Sequence, residues 1–241
     1  MSNPTAAMLV IGDEILSGRT REANAYHLAG RLGQVGIDLR EIRVVPDDHR
    51  VIVDALDELR AAHTHVFTSG GIGPTHDDIT ADAVADAFGV GIEVRDDARE
   101  HLQAAVGAGR TLTPEHLRMA RIPHGAALIA NRISGAPGFS IGNVHVMAGV
   151  PAIFVAMLDD LLPGLEAGSP VVSSELRFDV GEGRIAAPLR ELAAEMPALS
   201  IGSYPFHDAG VHGTNIVVRG TDPALVREAM ERLRAIHDAV G

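Results

Sequence analysis

Along the first part of the chain, short apolar stretches typical of strands alternate with stretches in which apolar residues recur every three or four positions, as in helices. Residues 7–12 form a short apolar run that ends in glycine, a pattern typical of a buried strand. A helical stripe follows over about 20–33, and looser alternation over 37–45 indicates a second strand. From 51 to 59, apolar residues recur every three or four positions with acids between them, which predicts an amphipathic helix.

The same alternation continues through the middle of the chain. A strand is predicted at 64–68, a glycine-rich loop at 69–77 and a helix from about 78 to 88. One or two helices at 96–121, short strands at 126–130, 138–141 and 144–147, and an apolar helix from 149 to 162 complete this part. Strands that alternate with helices favour an α/β fold, with a mostly parallel sheet between two helical layers.

A linker, Glu166–Pro170, separates this part from a second pattern. Strands at 175–180, 199–204 and 211–219 and helices at 186–195 and 223–240 give the order β-α-β-β-α, and Gly181–Gly183 is taken as a turn. The sequence therefore predicts two domains. Residues 1–168 form the three-layer α/β/α domain, and residues 171–241 form a small α+β domain.

Composition removes several classes of protein. With 46% hydrophobic and 22% charged residues, the 241-residue chain has the composition of a folded protein. The absence of cysteine excludes disulfides, thiolate metal sites and a cysteine nucleophile. The longest apolar stretch, 144–158, is shorter than a membrane helix, and the N-terminus lacks the pattern of a signal peptide. A cytoplasmic protein without a membrane partner is expected.

Charge narrows the choice of ligand. The formal net charge is −12, and all 20 basic residues are arginine. Because duplex binding depends on many basic residues, nucleic acid is not an expected partner, and the small domain has neither the arginine content nor the aromatic residues for it. Without lysine there is no Walker-type phosphate site. A phosphate would have to be held by backbone N–H groups, a few arginines or a bridging cation.

The segment from Thr68 to Thr80 carries the clearest candidate chemistry. It reads Thr-Ser-Gly-Gly-Ile-Gly-Pro-Thr-His-Asp-Asp-Ile-Thr, and its glycines lie between a predicted strand and a predicted helix. Glycines allow the backbone to approach a ligand closely, and N–H groups at a helix start attract anions. The loop is therefore a candidate phosphate cradle. The simpler alternative is a turn that only redirects the chain.

Pairs of acids follow three predicted strands: Asp13 with Glu14, Asp47 with Asp48, and Asp77 with Asp78. Ligands of open parallel sheets bind outside the carboxyl ends of the strands, so the three pairs are expected to converge on one crevice. Carboxylates that face a phosphate need a cation between them, and Mg²⁺ takes such oxygen ligands. Each acid by itself could equally be a helix cap or part of a solvated turn.

These motifs resemble a known family. Four parts of the sequence resemble the molybdopterin-binding domains of the MogA and MoeA type. They are Gly12-Asp-Glu-Ile-Leu-x-Gly18, Asn24, Val44-Val-Pro-Asp-Asp48 and Gly70-Gly-Ile-Gly-Pro-Thr-x-Asp-Asp-x-Thr80. They are more similar to the N-terminal part of the competence/damage-inducible protein A (CinA) group and to the corresponding domain of eukaryotic FAD synthases. Gly149-Val-Pro151 and Ile201-Gly-Ser-Tyr-Pro205 match later landmarks, so the resemblance covers nearly the whole chain.

The resemblance implies metal-dependent hydrolysis of a nucleotide pyrophosphate such as ADP-ribose or FAD. It implies a divalent metal, Mg²⁺ or Co²⁺, with K⁺ as a further candidate, and a homo-oligomer. Asp47 and Asp78 match the acidic positions of the family site, and Asp77 joins them as a candidate metal ligand. The candidate substrate- and phosphate-binding residues are Gly12, Asp13, Gly70, Gly71, Gly73, Pro74, Thr75 and His76.

Two other functions stay open. A protein that binds a pterin or nucleotide phosphate without cleaving it needs the same cradle. A molybdopterin adenylyltransferase of molybdenum cofactor biosynthesis is the other alternative, but Ile72 and Asp77 stand where MogA-like loops usually carry threonine and arginine. The remaining histidines lack metal-ligand spacing, and no Gly-x-Ser-x-Gly elbow is present.

Overall fold

A computed structural model of the protein describes residues 3–107, 109–208 and 210–240. The chain forms two compact units, of which the first ends at Gly168 and the second begins at Ser169. Within the described residues, every helix is too short or too polar to cross a membrane.

The first unit alternates strands with helices through most of its length. Its strands are β1 (Thr5–Ile11), β2 (Asp38–Val45), β3 (His65–Ser69), β4 (Ile92–Val94), β5 (Arg121–Pro123), β6 (Ala127–Ile129), β7 (Gly138–Ile141) and β8 (Val144–Met147). Its helices are α1 (Asp13–Leu16), α2 (Asn24–Val35), α3 (His49–Ala62), α4 (Thr80–Ala87), α5 (Asp96–Val106), α6 (Pro114–Arg118) and α7 (Pro151–Leu161), the last followed by a 3₁₀ turn at Leu162–Gly164.

Six of these strands form the central sheet, in the order β2-β1-β3-β8-β7-β6. The first four strands run parallel, whereas β7 pairs antiparallel with both β8 and β6. β4 and β5 make a separate two-stranded ribbon. The parallel strands bring the ends of β1, β2, β3 and β8 to one edge of the sheet, and the predicted site segments begin there.

Both faces of the sheet are buried, which explains the continuous apolar character of β1. Ala7, Leu9 and Ile11 contribute to the core with α3 and α4. Ala6, Met8 and Val10 point to the other face, where α2 and α7 pack. The structure thus has the three α/β/α layers that the alternation of strands and helices predicts.

The second unit contains β9 (Val172–Phe178), α8 (Glu182–Glu195), β10 (Ser200–Asp208), β11 (Val211–Gly220) and α9 (Pro223–Val240). β11 lies between β10 and β9, and both pairings are antiparallel. Apolar residues of both helices and of β9 and β11 form one core, among them Phe178, Ile185, Leu192, Ile216, Val226 and Leu233. This is the α+β arrangement expected from the sequence.

Several local predictions were wrong. The loop after β1 begins with the short helix α1, and α2 begins at Asn24 rather than near Thr20. Gly181–Gly183 is not a turn, since α8 begins at Glu182. β4 and β5 were not anticipated, because three-residue strands carry almost no periodicity.

Candidate active site at the carboxyl edge of the sheet

The predicted site segments meet at the carboxyl edge of the parallel strands. The N–H of Gly12, after β1, donates to the carbonyl of Val45 at the end of β2 (3.1 Å). The N–H of Gly70, after β3, donates to the carbonyl of Met147 at the end of β8 (3.2 Å). One contact joins the ends of β1 and β2 and the other those of β3 and β8, and the parallel pairing of β1 with β3 brings the two pairs together. The backbone segments therefore converge as expected from the sequence.

Two glycines are required where the loop leaves β3. Gly70 has φ +108°, and a Cβ there would lie 2.2 Å from the carbonyl oxygen of Ile11. Gly71 has φ +68°, and its Cβ would lie 2.1 Å from Thr80 Oγ1. Thr80 closes the loop, since its hydroxyl donates to the Gly70 carbonyl (3.0 Å) and its N–H to the Gly71 carbonyl (2.9 Å). The sequence pattern Gly-Gly with threonine nine residues later is therefore explained by this closed loop.

The turn of the loop presents backbone donors. Within the described part of the chain, the N–H groups of Gly71, Ile72 and Gly73 have no hydrogen-bond acceptor, and the three residues are partly exposed. Consecutive unpaired amides next to a helix start are a recurrent anion-binding arrangement. These three amides are the donors through which the predicted cradle would hold a phosphate.

Asp78 holds this turn from within. Its Oδ2 accepts hydrogen bonds from the N–H (2.7 Å) and the hydroxyl (2.5 Å) of Thr75. The carboxylate is thus engaged by its own loop, although it also lines the cleft described below. Asp78 is not the cap of α4, because Ile79 occupies that position without a side-chain hydrogen bond.

The two acids after β2 have different environments. Asp48 caps α3 through a hydrogen bond from the Val51 N–H (3.0 Å). Asp47 Oδ2 accepts from the Asp13 N–H (2.9 Å), which ties the end of β2 to the segment after β1. Burial raises the pKa of Asp47, and the negative charges of Asp13, Glu14 and Asp77 raise it further against the effect of that hydrogen bond. Asp47 is therefore a partly buried carboxylate with like charges around it.

A cleft of about 490 Å³ opens beside the loop. Its lining includes the apolar residues Ile72, Met119, Ala148 and Ile153. Of the predicted residues, the cleft is lined by Gly70, Gly71, Gly73, Pro74 and Asp78.

The other predicted residues lie outside this lining. They are Gly12, Asp13, Asp47, Thr75, His76 and Asp77. His76 is 98% exposed, and its ring lies 3.9 Å from the Asp77 carboxylate. The structure therefore places His76 on the outer surface of the loop, away from the cleft.

Residues distant in sequence complete the site. Asn24 is buried and donates from Nδ2 to Ser69 Oγ and to the Gly149 carbonyl, both at 2.8 Å. Arg118, at the end of α6, donates to the Asp78 carbonyl (3.3 Å). Asn24 could be noticed as a matched landmark of the family motif, whereas nothing near Arg118 in the sequence signals its position.

The predicted metal ligands are the carboxylates of Asp47, Asp77 and Asp78. Among the described residues, no three histidine, aspartate or glutamate side chains are placed to hold a metal ion together. Thr75 donates to Asp78, and a hydrogen bond from the Thr75 side chain is also the main cause that lowers the pKa of Asp77. Asp47 and Asp77 interact electrostatically and are the remaining candidate ligands. Such a pair suits Mg²⁺ only in its common form, in which one or two carboxylates act together with water and substrate phosphates.

Comparison with known proteins follows the same two units. Residues 7–167 match the family model described as a probable molybdopterin binding domain. The chain belongs to this molybdopterin-binding family. Residues 170–239 match the FAD synthase middle domain. The resemblance and the fold class expected from the sequence are thereby confirmed.

The curated relatives of this chain include CinA-like proteins and a probable FAD synthase. The chain is 36% identical over 240 residues to a CinA-like protein of Citrifermentans bemidjiense, covering 95% of this chain and 57% of the relative. It is 34% identical to a probable FAD synthase of Caenorhabditis elegans, covering 83% of this chain and 44% of that protein. The chain thus spans about half the length of these curated relatives.

A solved structure supports the same assignment. The crystal structure of the protein CinA with unknown function from Thermoplasma acidophilum matches with a TM-score of 0.63 and 33% identity. The match covers 67% of this chain and 97% of that one. The fold of the molybdopterin-binding unit is therefore shared with a CinA protein over nearly all of that protein.

Proposed function

We propose that this protein hydrolyses the pyrophosphate bond of a nucleotide such as ADP-ribose or FAD. The observation that carries the proposal is the row of unpaired amides, Gly71 to Gly73, in residues that line a cleft of about 490 Å³ together with Glu14 and Asp78. The amides would bind a phosphate, and the apolar lining residues would contact a planar ring. The relationship to a FAD synthase middle domain and to a probable FAD synthase supports a nucleotide substrate.

The residues of the chain have separate tasks in this proposal. The loop amides bind one phosphate, and Asp78 keeps them oriented by holding Thr75. Asp47 and Asp77 would hold a divalent cation together with the phosphate oxygens. When bound, such an ion supplies positive charge and lowers the pKa of a water ligand. In the reaction, water adds to one phosphorus, the P–O bond to the bridging oxygen breaks, and that oxygen leaves with the second phosphate.

The test is product analysis on purified protein. ADP-ribose and FAD are incubated with EDTA, Mg²⁺ or Co²⁺, and AMP with ribose 5-phosphate or FMN is measured by chromatography. Asp78→Asn is expected to lower kcat on the order of 100-fold, because a displaced loop misplaces the phosphate. The matched control is Asp54→Asn, an exposed acid on α3, which should keep the wild-type rate. Wild-type turnover in Asp78→Asn would contradict the assigned role.

A binding protein that does not cleave its ligand is the second candidate. It is favoured by one observation, namely that the described residues assemble no three-ligand metal group. The name of the matching family also points to a pterin ligand. Calorimetry with the same nucleotides and a molybdopterin precursor distinguishes the candidates. Tight binding without cleavage under any metal condition would replace the hydrolase by this second function.

A further inference from the structure

The charges around the cradle do not suit an anionic ligand. The chain carries a net charge of −12 and has no lysine. Glu14 and Asp78 line the cleft, and Asp47 already experiences the negative charges of Asp13 and Asp77. A phosphate that enters adds more negative charge at short range, so a cationic side chain close to the loop would stabilise it in addition to any bound metal ion.

Arg118 is a cation beside the loop that forms no salt bridge with a described residue. The exposed Asp77 is the carboxylate that senses its charge, since a hydrogen bond from Thr75 and, to a smaller extent, the charges of His76 and Arg118 lower the pKa of Asp77.

Arg118 lines a small pocket of about 20 Å³ together with Gly71, Gly73 and Asp78, the residues that also line the main cleft. Its Nη2 donates to the Asp78 carbonyl at 3.3 Å, and its Nε is buried without a hydrogen-bond partner. Among the described residues, no carboxylate lies within ion-pair distance of its guanidinium.

The neighbouring Arg121 differs from Arg118 because it has a carboxylate partner. Arg121 lines the same small pocket and binds both oxygens of Asp82, at 2.8 and 2.5 Å. Arg118 stands three residues earlier and makes only one hydrogen bond to a described residue, although a guanidinium has five donors. A partly buried cation with unused donors is costly unless an anion completes it.

We propose that Arg118 is a substrate-binding residue of this site, whose guanidinium binds the phosphate that rests on the amides of Gly71 to Gly73. The small pocket has room for about one water molecule, so the phosphate would lie in the main cleft and Arg118 would reach it along the loop. The planar fork of arginine suits two phosphate oxygens at once. This inference rests on the proposed function for the identity of the ligand, but not on its cleavage.

The test measures binding of inorganic pyrophosphate and of ADP-ribose by calorimetry. Arg118→Gln is expected to weaken both by about 10- to 100-fold, the range for lost charge-assisted hydrogen bonds. Arg118→Lys keeps the charge without the fork and should lose about threefold or more. The matched control is Arg50→Gln, which removes the same charge from an exposed position on α3 and should bind as wild type.

Thermal melts without ligand show whether each variant is folded. If Arg118→Gln does not fold, Arg118→Lys decides. Wild-type affinity for pyrophosphate in either folded variant overturns the proposal, and so does a wild-type protein that binds neither ligand. Hydrolysis that persists with unchanged KM in Arg118→Gln overturns the role of Arg118 alone. Binding that depends on Arg118 without cleavage of the ligand supports the role of Arg118 and contradicts only the proposed hydrolysis.

Discussion

Asn24 offers the sharpest test of how the site is held together. Its side chain is 3% exposed and joins three segments, since its own helix α2 is tied to Ser69 at the end of β3 and to Gly149 before α7. Replacement by alanine removes two hydrogen bonds of about 1 kcal/mol each and leaves the buried Ser69 hydroxyl without its donor. We expect a loss of about 2–3 kcal/mol in the free energy of unfolding.

The assay combines stability with binding. For a unit of this size, 1 kcal/mol corresponds to roughly 2–4 °C in Tm, so Asn24→Ala should melt about 5–10 °C lower. The matched control is Asn143→Ala. Asn143 also donates two hydrogen bonds, to the carbonyls of Arg60 and His63 at 2.9 Å each, but at the opposite end of the sheet.

Both variants should therefore lose stability, and only Asn24→Ala should also weaken binding of pyrophosphate. A melting temperature of Asn24→Ala within about 1 °C of wild type would refute the energetic reasoning. Equal losses of pyrophosphate affinity in the two variants would show that general destabilisation, and not the position of Asn24, affects the site.

Three further predictions concern the loop, the acids and the buried histidines. Gly71→Ala should lower stability by about 1–3 kcal/mol in urea unfolding, because of its positive φ and the clash with Thr80, and wild-type stability would contradict the geometry. Asp47→Asn should raise Tm at pH 7, because its ionised form is disfavoured in the folded protein; an unchanged Tm would contradict this. Burial and, to a smaller extent, repulsion by His65 lower the pKa of His145 from 6.5 to about 4. Stability that is present above pH 6.5 should therefore be lost on acidification, by about 2 kcal/mol at pH 5. His145→Gln should flatten this pH dependence of the free energy of unfolding, as measured by urea titrations.

The strength of the periodic signal decided which parts of the fold could be predicted. α3 was recognised because its apolar stripe spans several turns and Asp48 stands at its start. β4 was missed because three residues show no period, and its pairing with β5 depends on residues nearly thirty positions away. Glycines at 181 and 183 locally predict a turn at the start of α8, whereas packing of Ile185 and Leu192 in the core favours the helix.

The site divides along similar lines. Parallel strand ends must meet at one edge, so the convergence of the segments after β1, β2 and β3 followed from topology alone. The orientation of each side chain did not, because it depends on local hydrogen bonds. Asp48 points to its helix and Asp47 to the Asp13 N–H, although the two are neighbours in sequence. Arg118 is forty residues from its hydrogen-bond acceptor, so only the folded chain reveals it.

The acids that looked equivalent in the sequence therefore contribute differently to the charge of the site. Asp48 and Asp78 accept hydrogen bonds from backbone N–H groups of their own segments, so these two carboxylates are already engaged within the chain. Asp47 has one such donor and several like charges, so its carboxylate is the one that gains most from an arriving cation. A cation bound there would in turn favour the phosphate on the adjacent loop. Metal and phosphate should consequently bind cooperatively, each raising the affinity for the other by the same factor.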